Sequence, residues 1–540
     1  MMESAHADLD SPDLRPIPPE ARTWQWRSLA SVWAGIVFCV PSYLLSCGML
    51  EHGMGWWQAV LVVLAGNLVL WIPMVMIGHA GTRYGIAYPV LLRASFGTLG
   101  ARLPVLLRTA VAVGWFGVQT SVGGFAIYHL LNLMLGGLLE GSALPLVGVS
   151  FWQLNCFLGF WLLQVWFLRR WGMDGVHKLA WYGAPALLAA GLLLVLWAWV
   201  QADGFASILS STSRFADGQS MHGQAMDVFP PLLAQMVALW MLLAINIPDY
   251  TRYVRDQGQQ LLGQFVGLPL GIAFFSLVGV TVPFATVDIF NAEEIAAATG
   301  AAAAAGAAAA VGISDPLEVI GLMGGFARVL GLLALVLAAF TTNLFAHLVP
   351  ASTGLVALRP QQLDFSKAAT VAACAALLLL PWRIVEWSGG TVFIWLAGLG
   401  AMLSPVVGIL IADYFLLRRR QLDVAALYQH PGPYSYFRGW SLTALFALLV
   451  GNLLAVPGFL MSIDLATAWP QCCPTQTCED MAAACGGLTV SPALENLYPY
   501  TPILGLLVGG LVYGLLRGVQ GLFSRSGRGA AQPGVEQAAD

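Results

Sequence analysis

Long apolar runs separated by short polar links make up most of the chain. Twelve such runs can be read, near residues 29–49, 56–78, 103–134, 145–168, 181–201, 228–248, 261–285, 325–357, 368–382, 390–417, 438–461 and 499–517. A helix needs about 20 apolar residues to cross a hydrocarbon core of about 30 Å. The pattern therefore predicts an all-α membrane protein with twelve transmembrane helices. Barrel strands would alternate polar and apolar residues over short stretches, and these runs do not. Two runs carry an interrupting proline: Pro41 in "VFCVPSYLLSCG" and Pro248 in "LLAINIPDYTRY". Proline removes a backbone donor and clashes with the preceding turn. Inside a membrane, the freed carbonyls must be satisfied by protein, water or an ion. Interrupted segments at matching places in two halves point to a transporter site. Segments one and six match if a five-helix unit is used twice, the second copy inverted because five is odd.

The links divide the chain. Residues 1–28 and 518–540 read as disordered cytoplasmic tails, polar and rich in Pro, Gly and Ser. The first tail shows no apolar core followed by small residues, so no cleavable signal is expected. Residues 29–201 hold the first five helices and 228–417 the next five, with an Ala-rich outer loop at 293–313 expected to form a short helix. Residues 438–517 hold the last two helices and a loop containing Cys472, Cys473, Cys478 and Cys485.

Composition supports this class. The chain is 58% hydrophobic and 10% charged, where soluble domains carry roughly 25% charged residues. All but Arg214, Arg328 and Arg383 of the 24 Lys and Arg flank alternate links. The positive-inside rule places that side, and both termini, in the cytoplasm. The Cys-rich loop then faces an oxidising exterior, where disulfides are expected; the spacing fits no common zinc pattern.

Some polar residues lie where lipid would otherwise surround them. In the third run, Trp115 and Gln119 are four apart and share a helix face; an indole can stack on a flat ring and an amide can bond its edge. Trp240 is a second intramembrane aromatic, in the sixth run. In "AAFTTNLFAH", Ala338, Thr341 and Thr342 fall at i, i+3 and i+4. Asn343 and His347 form an i, i+4 pair roughly 140° round the same helix. Hydroxyls and local carbonyls suit a hard cation, whereas an amide and an imidazole suit a polar organic solute. A Thr hydroxyl can also simply bond back to its own helix.

The stretches "RTWQWRSLASVWAG", "WFGVQT", "INIPDYTRY", "TTNLFAH", "LSPVVGILIADYFLLRRRQLDVAALY", "YSYFRGWS" and "VPGFL", in this order, resemble the nucleobase:cation symporter-1 family. Its members are permeases for cytosine, uracil, purines, allantoin, hydantoins and some vitamins. The resemblance implies a ten-helix core of two inverted five-helix repeats, two peripheral helices, broken helices one and six, and alternating access. It implies stacking roles for Trp115 and Trp240 and substrate contacts from Gln119, Asn343, His347 and Cys39. It also implies a sodium site from Gly35, Phe38, Ala338, Thr341 and Thr342. Two positions depart from the pattern: Cys39 stands where a hydantoin-binding member has Gln, and His347 replaces an amide.

The expected activity is cation-coupled uptake of a nucleobase, ureide or related heterocycle across the cytoplasmic membrane. The alternatives are a vitamin-like heterocycle as substrate or a proton as coupling ion, since an imidazole titrates near neutrality. The sequence shows no acidic ring or filter-like repeat for an uncoupled channel and no clustered set for an enzyme. Expected partners are a heterocyclic solute, the coupling cation and membrane lipid, with no nucleic acid and no cofactor. Oligomeric state is left open, a monomer being the simplest expectation.

Overall fold

The computed structural model describes residues 9–145, 147–204, 213–290, 316–383, 396, 398–460 and 496–529. The Ala-rich loop and the four outer cysteines lie outside the described residues. Among those described there is no β-strand beyond three isolated bridges. The helices are α1 (Trp26–Val37), α2 (Val40–Glu51), α3 (Trp56–Tyr84), α4 (Tyr88–Phe96), α5 (Arg102–Met134), α6 (Phe151–Gln201) and α7 (Ala225–Asn246). Then follow α8 (Gln257–Pro283), α9 (Pro316–Leu322), α10 (Gly325–Leu358), α11 (Phe365–Leu378), α12 (Gly398–Leu417), α13 (Leu442–Asn452) and α14 (Thr501–Gly529).

Eight of these are long and apolar enough to cross a membrane, and the bent pair α1–α2 makes a ninth span. Helix α6 has 51 residues, about 76 Å at 1.5 Å per residue, far longer than one crossing. It is broken at Gly172, whose φ of 52° and ψ of −140° leave the helical region. That break falls between the fourth and fifth apolar runs. The shorter apolar helices α11 and α13 correspond to the ninth and eleventh. Exposed Leu507, Leu511 and Leu515 stripe α14 at i, i+4 and i+8, an uncovered apolar face suited to lipid.

The first helix is broken as expected, but not at its proline. The axis turns by 65° at Phe38 (ψ 78°) and Cys39, which is extended at φ −145° and ψ 160°. Pro41 lies in the first turn of α2, where its missing N–H removes no helical bond. The sixth segment differs from expectation. Helix α7 has no break within Ala225–Asn246, and Pro248 opens a separate turn, Pro248–Thr251, beyond its end. Proline suits a first turn, so here it marks a boundary instead of interrupting a span.

Among the described residues, 9–25 and 518–529 depart from the expectation of disordered tails. Residues 9–25 are tied to the body. The backbone N–H of Trp24 donates to the Tyr253 carbonyl at 2.9 Å, and the Arg255 N–H donates to the Trp24 carbonyl at 3.0 Å. The Trp24 ring stacks on His177 and on Tyr253, and Leu14 is fully buried. Asp13 accepts from the N–H of Phe365 at 2.8 Å through its carboxylate, while its carbonyl accepts from Arg252 at 3.0 Å. A polar, Pro-rich composition therefore conceals a strap held by a few apolar anchors. At the other end, α14 continues past residue 518 to Gly529.

Candidate functional site

Helix α10 passes the break between α1 and α2 and brings two kinds of polar group to it. Gly35 makes the close approach possible: a Cβ there would fall 2.6 Å from the Phe345 ring and 3.3 Å from Thr341 Cβ. The hydroxyl of Thr342 reaches the carbonyls of Gly35 at 3.0 Å, Ile36 at 3.2 Å and Phe38 at 3.4 Å. One hydroxyl has one proton to give, so several carbonyl oxygens converge with more acceptor capacity than Thr342 can satisfy. Thr341, by contrast, bonds its own helix, at 3.1 Å to both the Leu337 and Ala338 carbonyls. The predicted oxygens therefore form two groups. Gly35, Phe38 and Thr342 meet at the break, together with the unpredicted Ile36 carbonyl, while Thr341 and Ala338 pair within α10.

Beside this lies a pocket of about 400 Å³ lined by Cys39, Arg108, Trp115, Gln119, Trp240, Thr342 and His347, among others. The structure thus brings together five of the predicted substrate residues. Trp115 and His347 stand parallel, ring centroids 6.0 Å apart. Cys39 Sγ lies 3.3 Å from Ser42 Oγ. A larger cavity of about 660 Å³ borders Phe38, Cys39, Leu335 and Ala338. Its lining is almost wholly apolar, whereas Arg108, Gln119, Thr342 and His347 line the smaller pocket.

Asn343 does not join the pocket lining. Its amide nitrogen donates instead to the Phe116 carbonyl at 3.1 Å, Thr120 Oγ1 at 2.8 Å and Gln164 Oε1 at 2.7 Å, tying α5, α6 and α10 together. A π-helical turn spans Asn343–Leu348. Its i→i+5 bonds widen the helix there; Asn343 opens the turn and bonds α5 and α6, while His347 lines the pocket. Two carbonyls of this turn take side-chain donors: Tyr250 Oη bonds the Phe345 carbonyl, and Arg108 Nη2 bonds that of Ala346 at 3.0 Å.

Arg108 is the residue that sequence reasoning missed. It counted as one of the cationic flanks of the link between segments two and three, yet it lies inside α5 and is fully buried. The signal was available: Arg108, Trp115 and Gln119 fall at i, i+7 and i+11, within about 40° of one another on an α-helix.

Among the described residues, no group of three or more His, Cys, Asp or Glu could hold a metal ion. The oxygens at the break are neutral, which suits a weakly charged hard cation better than a transition metal.

Residues 16–472 match the family model for permeases of cytosine/purines, uracil, thiamine and allantoin. The chain is 37% identical to the purine-uracil permease NCS1 of Arabidopsis thaliana over 84% of its length and 72% of that protein's. It is 30% identical to the allantoin permease of Bacillus subtilis, covering 84% of this chain and 88% of that one. Its fold is that of Mhp1, a nucleobase-cation-symport-1 family transporter solved in a closed conformation with bromovinylhydantoin bound; the TM-score is 0.67 at 22% identity, over 94% of each chain. The pocket at a broken helix and the matching family model lead to one conclusion: this chain is a multi-pass membrane permease of the nucleobase:cation symporter-1 family.

Proposed function

We infer that the protein couples sodium to the uptake of a planar nitrogen heterocycle or cyclic ureide by alternating access in the cytoplasmic membrane. Twelve helices, a core of two inverted five-helix repeats and cytoplasmic termini complete the reading. In it, Trp115 and Trp240 stack on the ring, Gln119 and His347 bond its edge, and Cys39 lines the wall. Asn343 acts indirectly, by fixing α10 against α5 and α6.

The observation that carries this reading is the placement of Thr342 and His347 on one helix. Thr342 faces the carbonyls of the broken helix, and His347 faces the heterocycle pocket. Sodium, as co-substrate, would take the Gly35, Ile36 and Phe38 carbonyls and the Thr342 hydroxyl, drawing α10 toward the break; Ala338 and Thr341 complete the set if the Thr341 hydroxyl turns from its own helix. A helix held by both ligands biases one equilibrium for both. The transport cycle as read here needs no covalent step.

The experiment is uptake of labelled uracil, allantoin and hypoxanthine into proteoliposomes under an imposed sodium gradient, a pH gradient, or neither. Sodium-driven accumulation above equilibrium is expected. Accumulation driven by pH alone would reassign coupling to a proton, and equilibration without accumulation would indicate an uncoupled facilitator.

A further inference from the structure

Arg108 places a buried positive charge in the pocket lining, and only part of its donor capacity is used. Its Nε donates to Asn246 Oδ1 at 2.9 Å and its Nη2 to the Ala346 carbonyl at 3.0 Å. The side chain is fully buried, and Nη1 has no hydrogen-bond partner. A guanidinium out of water normally finds acceptors for all its N–H groups. Two bonds, from the end of α7 and from the π turn of α10, fix its plane. The residue itself lines the same pocket as Trp115, Trp240 and His347. On α5 it lies two turns from Trp115, about 10 Å along the axis.

Other groups in the pocket add to the same bias. Trp240 Nε1 and His347 Nδ1 are also buried without partners. The indole nitrogen can only donate, the guanidinium can only donate, and the imidazole can do either. A ring that presents oxygen acceptors satisfies this lining. A ring with an exocyclic amine facing Arg108 would set donor against donor and leave both unpaired.

Resting on the transport reading above, we propose that Arg108 is a specificity-determining residue of this permease. Its Nη1 donates to a ring oxo group, so the protein takes oxo-substituted heterocycles and cyclic ureides in preference to their amino-substituted counterparts. Asp249 is the competing acceptor, because its Oδ2 is also unpartnered and it is an acidic neighbour of Arg108. Asp249 also has Arg252 beside it and accepts the Tyr88 N–H at 3.2 Å, so it is not committed to Arg108.

The test uses purified full-length protein in proteoliposomes with sodium present. It compares labelled uracil with cytosine and hypoxanthine with adenine, pairs that differ by an oxygen or an amine on the ring. Wild-type protein should favour the oxo member of each pair by about tenfold or more, the scale of one charge-assisted hydrogen bond. Arg108→Gln should lose that preference by weakening the oxo ligands alone, and Arg108→Lys should retain part of it. Asp249→Asn, which disturbs the surroundings but keeps the guanidinium and both of its bonds, should leave the preference in place. Equal or reversed preference in the wild type would overturn the proposal without needing any variant to fold. So would Arg108→Gln weakening both members equally, or Asp249→Asn reproducing Arg108→Gln. Failure to transport any of the four ligands would instead remove the transport reading on which the proposal rests.

Discussion

The imidazole of His347 lies parallel to the indole of Trp115, with ring centroids 6.0 Å apart and 10° between their planes. A flat ring inserted between two others needs about 7 Å, twice the contact distance of carbon atoms. His347 therefore sits about 1 Å too close to admit a substrate on that face of Trp115 without moving. Either the ring stacks on the other face, or His347 turns and becomes one of its edge contacts.

Both routes make His347 a determinant of which ring fits. His347→Asn should change the order of preference among heterocycles, because it removes a wall and substitutes an amide. It should leave the stimulation by sodium unchanged, because the Thr342 contacts lie elsewhere on α10. Competition by a panel of unlabelled heterocycles, with and without sodium, measures both effects. Loss of sodium dependence in this variant would move the coupling site to His347.

Trp115→Ala and Trp240→Ala should each weaken substrate affinity about tenfold or more, taking base stacking on aromatic side chains at roughly 1–3 kcal/mol as the scale. Both side chains are nearly buried, so the melting temperature of each variant must be read beside its affinity. Unchanged affinity in a folded Trp240→Ala protein would remove that residue from the pocket's chemistry.

The two threonines should separate. Thr342→Ala deletes the hydroxyl that meets the Gly35, Ile36 and Phe38 carbonyls, and should abolish the sodium stimulation of binding. Thr341→Ala deletes a hydroxyl bonded within its own helix, and should reduce sodium affinity by a smaller factor. Sodium titrations of substrate binding in the two variants rank them. The reverse order would place the cation on the Thr341 side of the helix.

The N-terminal strap makes a prediction about stability. Trp24 is buried between His177 and Tyr253, and truncating a buried Trp commonly costs about 3–5 kcal/mol. Trp24→Ala should lower the melting temperature of the detergent-solubilised protein clearly, whereas Glu20→Ala, on the exposed side of the same segment, should not. Equal melting temperatures would mean that the strap adds nothing to the folded state.

These residues also show what the sequence could and could not convey. Pro41 correctly signalled a broken first helix, since a proline inside an apolar run has few structural meanings; the break itself fell two to three residues earlier, at Phe38 and Cys39. The same signal misled at Pro248, because proline at a helix's first turn and proline inside a helix look alike in one dimension. Trp115, Gln119, Trp240 and His347 were legible as polar or amphipathic groups within apolar runs, and they do meet in one pocket. Asn343 was misplaced because its partners, the Phe116 carbonyl, Thr120 and Gln164, lie on neighbouring helices, which spacing along one helix does not locate. Arg108 was overlooked because a cation near the end of an apolar run reads first as an interfacial anchor. Only its register with Trp115 pointed inward.

The central claim is that one helix, α10, ties the cation to the heterocycle, and its most direct test is reciprocal binding. The substrate Kd of purified protein is measured in sodium and in choline, for the wild type and for Thr342→Ala. Coupling between sites typically amounts to about 5–150-fold, so sodium should tighten wild-type binding by about that range and leave Thr342→Ala unchanged. A wild-type Kd indifferent to sodium, or a sodium effect that survives intact in Thr342→Ala, would contradict the account.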